Sequence, residues 1–399
     1  MKILAMDVGK SKTVGYAVDT ATGEAAFETV VTAPTVIRRW VQKRRPDRVV
    51  MEIGPLAGWI HDVVRAAGVG DIEVANVNHE AWRWRSVRRK NDRMDAAKLA
   101  DLSAAGQLPT VHLPAAAVRQ WRQLIAYRAK LVDRRTAIKN SIRSILAAVG
   151  VAAPAGRACW KKETVAWMRG ESRPLKDVPS EDLWRGELGL ELDALEAVEK
   201  LIGEVEEKLA AMGEADEQVR RLQTVPGVGP RLAEMMVALV DRPGRFRSGR
   251  QVGSYLGLVP RQWQSGASDH RGHISRQGCR LARKLLVEVA WMTVRFNPHF
   301  RQVYERLRGG SPARTKVAIV GVARHLAVTL WAMLRDGTTW RPPRPHVPQA
   351  HPSPGRRHGK GAASATAATT TRRGEALPPH TPPPTQRQGK EDMMTTTKA

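Results

Sequence analysis

The sequence predicts a mixed-sheet α/β domain over residues 1–110, a helical segment over 111–222, a mainly helical unit over 223–340 and a disordered tail over 341–399. Three observations carry that prediction. Short apolar runs alternate with amphipathic stretches in the first part, the pattern of an α/β layer. Strand signals then vanish, and apolar residues recur at heptad spacing. The last 59 residues hold eleven of the chain's 25 prolines and few aliphatic side chains, so they cannot bury a core.

The elements follow in order. Lys2–Met6 and Val14–Val18 are apolar runs of strand length joined by a turn that contains Gly9, and Ala26–Val31 is a third. Val36–Gln42 and Trp59–Ala67 are predicted as helices, with the strand Arg48–Ile53 between them. Ile72–Val77 is a further strand, and Asp92–Ala105 a helix that opens on two acids, which favour a helix N-terminus. Ala115–Val149 is predicted as one long basic helix rich in Ala, Leu and Ile. Gly150–Pro179, with Pro154, Pro174 and Pro179, is expected to be irregular. Leu188, Leu195, Ile202 and Leu209 then fall at one heptad position, and Val198, Val205 and Met212 at the other. Charged residues such as Glu196, Glu199, Lys200, Glu206 and Lys208 fill the gaps. That pattern fits an intermolecular coiled coil or two helices of an antiparallel bundle within one chain.

Lys and Arg number 65 against 39 Asp and Glu, a formal net charge of +26. Such an excess implies a polyanionic partner. Nucleic acid fits better than a membrane, because neither a basic amphipathic helix nor an apolar span is evident. The N-terminus enters a strand directly, without the layout of a signal peptide. Cys159 and Cys279 lie far apart and outside any CxxC pattern. They speak against structural zinc and a disulfide framework, and fit a reducing cytoplasm.

Against that positive background stand four acids. Asp7 ends the run Ile3-Leu4-Ala5-Met6, Glu52 follows Val49-Val50-Met51, and Asp92 and Asp95 share one helical face. Magnesium takes oxygen ligands, commonly carboxylates together with substrate phosphate oxygens. Two ions about 4 Å apart stabilise both the attacking and the leaving oxygen of a phosphodiester displacement. That chemistry needs three or four carboxylates from separate elements, which these residues offer. Taken singly, each acid also fits a solvated surface. Asp7-Val8-Gly9-Lys10-Ser11 resembles the first phosphate loop of actin-like ATPases and sugar kinases. The basic charge and the lack of a second Gly-rich loop at the expected distance argue against that class.

Upstream of Asp92, Arg83, Arg85, Arg88, Arg89 and Lys90 are interleaved with Trp82 and Trp84. Basic residues among indoles suit phosphate contacts and base stacking, while the tryptophans equally suit a core. In the second half, Val225-Pro226-Gly227-Val228-Gly229-Pro230 before a helical stretch has the form of a helix-hairpin-helix turn. Gly227 and Gly229 would let backbone N–H groups approach phosphate. Ser265 precedes Gly266 in what reads as a flexible loop, with Arg261, Arg271, Arg276 and Arg280 nearby. A serine hydroxyl there could attack a phosphodiester while arginines neutralise the transition state.

Taken together, the motifs resemble the RuvC-like DEDD transposases of the insertion-sequence-110 type, some of which are directed by a bridge RNA. The resemblance covers roughly residues 1–340. It rests on Met6-Asp7-Val8-Gly9-Lys10, Glu52 with Gly54-Pro55-Leu56, and Lys90-Asn91-Asp92-Arg93-Met94-Asp95-Ala96. Pro226-Gly227-Val228-Gly229, Gly257-Leu258-Val259-Pro260 and Gln264-Ser265-Gly266 complete it. It implies an RNase H-like (RuvC-like) N-terminal domain in which Asp7, Glu52, Asp92 and Asp95 bind Mg²⁺ or Mn²⁺. It also implies that Ser265 forms a covalent phosphoserine with a DNA end, in a site shared between subunits of a dimer or tetramer. The middle helices would then serve oligomerisation as a coiled coil. A guide (bridge) RNA is a further implied partner, compatible with Arg119, Arg122, Arg128, Lys130, Arg134, Arg135 and Lys139 on the long basic helix. The implied setting is the bacterial cytoplasm, with the nucleoid, and no membrane.

Three departures from the family pattern stand out: Glu52-Ile53-Gly54-Pro55-Leu56, Lys90-Asn91-Asp92 in place of Lys-Thr-Asp, and Arg276-Gln277-Gly278 in place of Lys-Arg-Gly. Each leaves the carboxylates and the serine in place. The competing expectations are a Holliday-junction endonuclease using metal-activated water, and an inactive nucleic-acid-binding protein.

Overall fold

Ile3, Leu4, Ala5 and Met6 are all buried because β1 (Lys2–Val8) runs through the middle of a five-stranded sheet. The computed structural model describes residues 1–76, 91–265 and 268–342. The Trp/Arg-rich segment before Asn91 and the Pro-rich tail lie outside the described residues. β1 pairs antiparallel with β2 (Lys12–Asp19), which pairs antiparallel with β3 (Ala25–Val31). On its other side β1 runs parallel to β4 (Arg48–Glu52), itself parallel to β5 (Asp71–Ala75). The order β3-β2-β1-β4-β5 is the mixed sheet that the sequence predicts.

Side-chain alternation along the strands divides the buried residues between two helical layers. Leu4, Met6, Val49 and Met51 pack on α1 (Pro34–Arg44) and α2 (Ala57–Ala66) through Ile37, Trp40, Val41, Ile60 and Val64. Ile3, Ala5, Val50 and Ala75 point the other way, onto Leu99 and Ala100 of α3 (Asp92–Ala104). The parity of Asp7 and Glu52 puts them on the α3 side.

The middle of the chain holds two 33-residue helices, α4 (Ala116–Ala148) and α6 (Leu183–Ala215). Between them, Gly150–Pro179 is more regular than expected. It contains α5 (Lys162–Glu171) and short 3-10 turns, and Met168 of α5 is fully buried with Cys159. Both cysteines are free thiols.

The heptad face of α6 is covered by α4 of the same chain, which corrects the expected intermolecular coiled coil. Leu188, Leu192 and Leu195 meet Ile142, Ile145 and Leu146. Val198 and Ile202 meet Leu131, and Leu209 shares a core with Trp121 and Ile125. As numbers rise along α6 they fall along α4, so the pair is antiparallel. Each fully buried Leu or Ile contributes roughly 1.5–3 kcal/mol, and the intrachain pair takes up that apolar stripe.

The C-terminal part comprises α7 (Glu217–Gln223), α8 (Pro230–Val240), α9 (Gly249–Tyr255), the hairpin β6 (Pro260–Ser265) and β7 (Ser268–Ile274), α10 (Arg280–Phe296), α11 (Pro298–Arg308) and α12 (Thr315–Asp336). Its core reaches across the boundary expected at residue 222, because Val219 and Leu222 of α7 belong to it together with the near ends of α4 and α6. Among the described residues one helix, Pro312–Asp336, is long and apolar enough to cross a membrane by length and composition, contrary to the expectation of no apolar span. Ala318, Ile319, Val322, Ala323, Leu326 and Leu330 along it are buried in this core, and that use accounts for its hydropathy.

Candidate active site

Register fixes the first two acids. Met6 pairs with Met51 across the parallel strands, so Asp7 and Glu52 stand level at the carboxyl ends of β1 and β4. In α/β folds ligands bind outside such strand ends. Asp7 is further set by the turn that follows it. Gly9 donates its N–H to the Lys12 carbonyl at 3.1 Å, and the Thr32 hydroxyl donates to the Gly9 carbonyl at 2.9 Å. A Cβ on Gly9 would lie 2.5 Å from the Lys12 oxygen, so the turn needs glycine.

The other two acids come from the first turn of α3. Asn91 is its N-cap, its side-chain oxygen accepting from the Met94 N–H at 2.8 Å. That role explains the departure from the family's Lys-Thr-Asp, since Asn and Thr both cap helices. Asp95 is 4 % exposed on the face turned to the sheet, whereas Asp92 is exposed. One turn on, burial pushes the Lys98 ammonium down from its ordinary pKa, and the charge of Asp95 acts the other way.

Asp7, Glu52, Asp92 and Asp95 line one cavity of about 410 Å³, joined by Gly9, Lys12 and Asn91. Among the described residues no three Asp, Glu, His or Cys side chains are gathered closely enough to hold a metal ion. The carboxylates therefore share the cavity without closing a coordination sphere. The donor set fits a hard divalent cation, because all four acids offer oxygen and neither His nor Cys lines the cavity. Lys12 and Asn91 also line the cavity, beyond the four acids expected from sequence. An Asn immediately before Asp-x-x-Asp was the legible sign of a cap.

Asn91→Ala is expected to cost about 1 kcal/mol of stability and to lower activity, with Asn91→Thr restoring both. Urea unfolding alongside activity measurements checks this; an alanine variant with wild-type values would remove the cap from the account.

Ser265 does not line the acidic cavity. It is the last residue of β6, paired with Ser268 of β7, and exposed. The flexible loop expected there is thus corrected to an antiparallel hairpin. Its strands are mostly polar and lack apolar alternation, so the pairing rests on backbone hydrogen bonds, with Gln262 Nε2 donating to Asp269 Oδ1 at 2.7 Å across it, and leaves little mark in composition. The base of the hairpin is locked where two glycines cross. Gly257, at φ +66°, would put a Cβ 2.2 Å from the Gln277 oxygen, and Gly278, at φ +72°, would put one 2.0 Å from the Tyr255 oxygen. Arg276 N–H donates to the Gly257 carbonyl at 3.2 Å and Ser275 N–H to that of Val259 at 2.8 Å.

The basic residues divide. Arg261, Arg276 and Arg280 are exposed around the hairpin, Arg261 reaching only the Ser275 carbonyl at 3.5 Å. Arg271 is described only as a β7 backbone position paired with Gln262, and Arg83, Arg85, Arg88, Arg89 and Lys90 lie outside the described residues. On α4 the expected RNA-facing set is largely engaged within the chain. Arg119 pairs with Asp62, Arg122 caps the α8 carbonyls of Ala238 and Leu239, Arg128 holds Glu206 at 2.8 Å and Lys139 holds Glu199 at 3.0 Å. Lys130 and Arg134 remain exposed.

The glycine turn before α8 also serves the chain itself. Gly227, at φ +94°, sits against α10, where a Cβ would come 2.9 Å from the Thr293 nitrogen. Gly229 caps α8 and faces open space. Behind it Glu234 is fully buried and held by Arg231 at 3.1 Å; burial raises its pKa and the arginine opposes that rise.

Residues 219–305 match the family model described as Transposase IS116/IS110/IS902 family, and residues 4–150 match the DEDD IS110 model described as Transposase. The probable family 20 transposase of Pseudomonas aeruginosa is 32% identical over 256 residues, covering 63% of this chain and 74% of the relative. The chain belongs to the IS110 family of DEDD transposases. It is therefore an enzyme that cuts and rejoins DNA. The transposase for insertion sequence element IS1111A of Coxiella burnetii is 29% identical, over 63% of this chain and 68% of its own length. A putative transposase, y4rJ, of Sinorhizobium fredii is 29% identical, over 73% and 78% respectively. The solved T. thermophilus RuvC in complex with Holliday junction substrate matches 28% of this chain and 99% of its own at 15% identity, with a TM-score of 0.20, a likeness too weak to add to the strand topology. Family and topology together describe an RNase H-like α/β domain followed by a mainly helical part.

Proposed function

We propose that this transposase exchanges DNA strands through a phosphoserine formed at Ser265, with Asp7, Glu52, Asp92 and Asp95 holding Mg²⁺ or Mn²⁺. The observation that carries the proposal is the single cavity lined by four carboxylates drawn from β1, β4 and α3. A divalent ion bound there supplies positive charge for the non-bridging oxygens of a phosphodiester. The protein's own part begins with the serine. Its Oγ gives up a proton and bonds to phosphorus, while the bond from phosphorus to a deoxyribose oxygen breaks and that oxygen leaves as a hydroxyl. The hydroxyl of a second strand then attacks the phosphoserine, restoring a phosphodiester and the free serine. Exposed Arg261, Arg276 and Arg280, toward the base of the hairpin, bind phosphates further along the DNA.

Because Ser265 lies outside the acidic cavity of its own chain, the working site joins the hairpin of one copy to the carboxylates of another. The contact uses surfaces other than the heptad face, which α4 covers. A bridge RNA selects the DNA, and the enzyme works with the bacterial chromosome in the cytoplasm. The same separation favours a second reading, hydrolysis by the carboxylate site alone, as in a junction endonuclease.

A denaturing gel of labelled element-end DNA incubated with protein, RNA transcribed from the element's non-coding flank and Mg²⁺ tests the two. A slow protein–DNA band is the expected result. Metal-dependent cutting without that band would select hydrolysis.

A further inference from the structure

On the hairpin that carries Ser265, one side chain is out of character. Apart from Ile274, which packs on the C-terminal core, β6 and β7 are mostly polar, yet Trp263 stands at 58 % exposure between Gln262 and Gln264. A flat aromatic ring with an open face, standing among cations, is the side chain on which a nucleic-acid base can stack. It is not loosely held. Trp263 pairs with His270, and its ring lies over Gly272, where a Cβ would come 2.8 Å from Cζ3 and 3.9 Å from the Arg261 Cβ. The missing side chain at Gly272 lets the indole lie down on the strand, with the rest of its surface open to solvent.

Strand alternation puts Trp263 and Ser265 on one face, two residues or about 7 Å apart. The Cβ geometry at Gly272 puts Arg261 on that face as well. Arginine, indole and serine thus follow one another along a solvated ribbon, with exposed Arg276 and Arg280 beyond its base. A cation for phosphate, a flat ring for a base and a hydroxyl, in that order, match the repeat of a single nucleic-acid strand.

We infer that Trp263 is a stacking platform for one nucleobase of the DNA strand at the exchange point, a positioning residue that sets the neighbouring phosphate against Ser265. The inference rests on the serine reading for its purpose, but not for the stacking itself. The occupant is DNA, because the chain cuts and rejoins DNA and the ribbon is flanked by arginines. Covering Gly272 gives the ring a structural duty too, and the test separates the two roles. Leucine can cover a glycine but cannot stack on a base; phenylalanine can do both.

Full-length protein, together with RNA transcribed from the non-coding flank of its element, is titrated, in EDTA so that no chemistry proceeds, with duplexes spanning the end of that element, an abasic site being walked across the junction. One base–aromatic stack is worth about 5- to 150-fold in affinity. Wild type is expected to lose about that factor at one position of the walk. Trp263→Leu should lose it on intact DNA and lose nothing more at that position, while Trp263→Phe keeps most of the affinity. Equal affinity of wild type and Trp263→Leu, or losses that multiply when variant and abasic site are combined, would overturn the platform. So would a Trp263→Phe variant as weak as Trp263→Leu. Binding in EDTA is blind to the nucleophile, so a failed serine mechanism leaves this result readable, and a failed platform leaves Ser265 untouched.

Discussion

Ser265→Ala is expected to abolish strand exchange, by at least about four orders of magnitude, and to remove the covalent protein–DNA band with it. Alanine deletes only the Oγ. The residue is exposed at the end of β6 and its pairing with Ser268 is a backbone matter, so fold and DNA affinity should not change. A plasmid recombination assay, run beside a binding titration, measures both. Recombination at the wild-type rate in this variant would end the serine mechanism. Lost exchange with undiminished metal-dependent cutting would instead make the carboxylates a self-sufficient hydrolytic site, with the hairpin as a later participant.

Asp7→Asn should reduce both cutting and exchange by about three orders of magnitude, because it removes one charged ligand from a cavity whose affinity for a hard cation depends on charge. Shape is preserved, and the strand beneath is held by Leu4, Ala5 and Met6, so stability should move little. The diagnostic is a Mg²⁺ titration: the half-activating concentration should rise while the melting temperature stays put. Activity within tenfold of wild type at every Mg²⁺ concentration would remove Asp7 from the metal set. Unlike the serine variant, this one does not separate strand exchange from hydrolysis, since both readings place the ion at Asp7.

Much of the first domain was legible because strands in a covered sheet are nearly continuous apolar runs, and Asp7 and Glu52 announced themselves by ending two of them. Their common face was encoded as well, in the alternation that sends Ile3, Ala5 and Val50 toward α3. The heptads of α6 were visible too, but an apolar stripe does not name what covers it; α4 does, within the chain. The basic residues of α4 are compatible in sequence with a guide RNA because sequence gives charge without partners, and Asp62, Glu199 and Glu206 are far away in sequence. The Ser265 hairpin escaped for a different reason. Its order comes from backbone pairing and from two glycines that cross at its base, and neither leaves a periodic signal.

The antiparallel pair of α4 and α6 has a consequence for how such enzymes can diverge. Among the described residues, the buried apolar residues of α4 beyond Leu131 meet only α5, α6 and the segments that join these helices. That part of the molecule is an arm whose length is independent of the acidic cavity and of the hairpin that carries Ser265. Adding one matched heptad to each helix would extend it by about 10 Å and leave the acidic cavity and the serine hairpin as they are. Reach can change by whole heptads while the chemistry stays fixed.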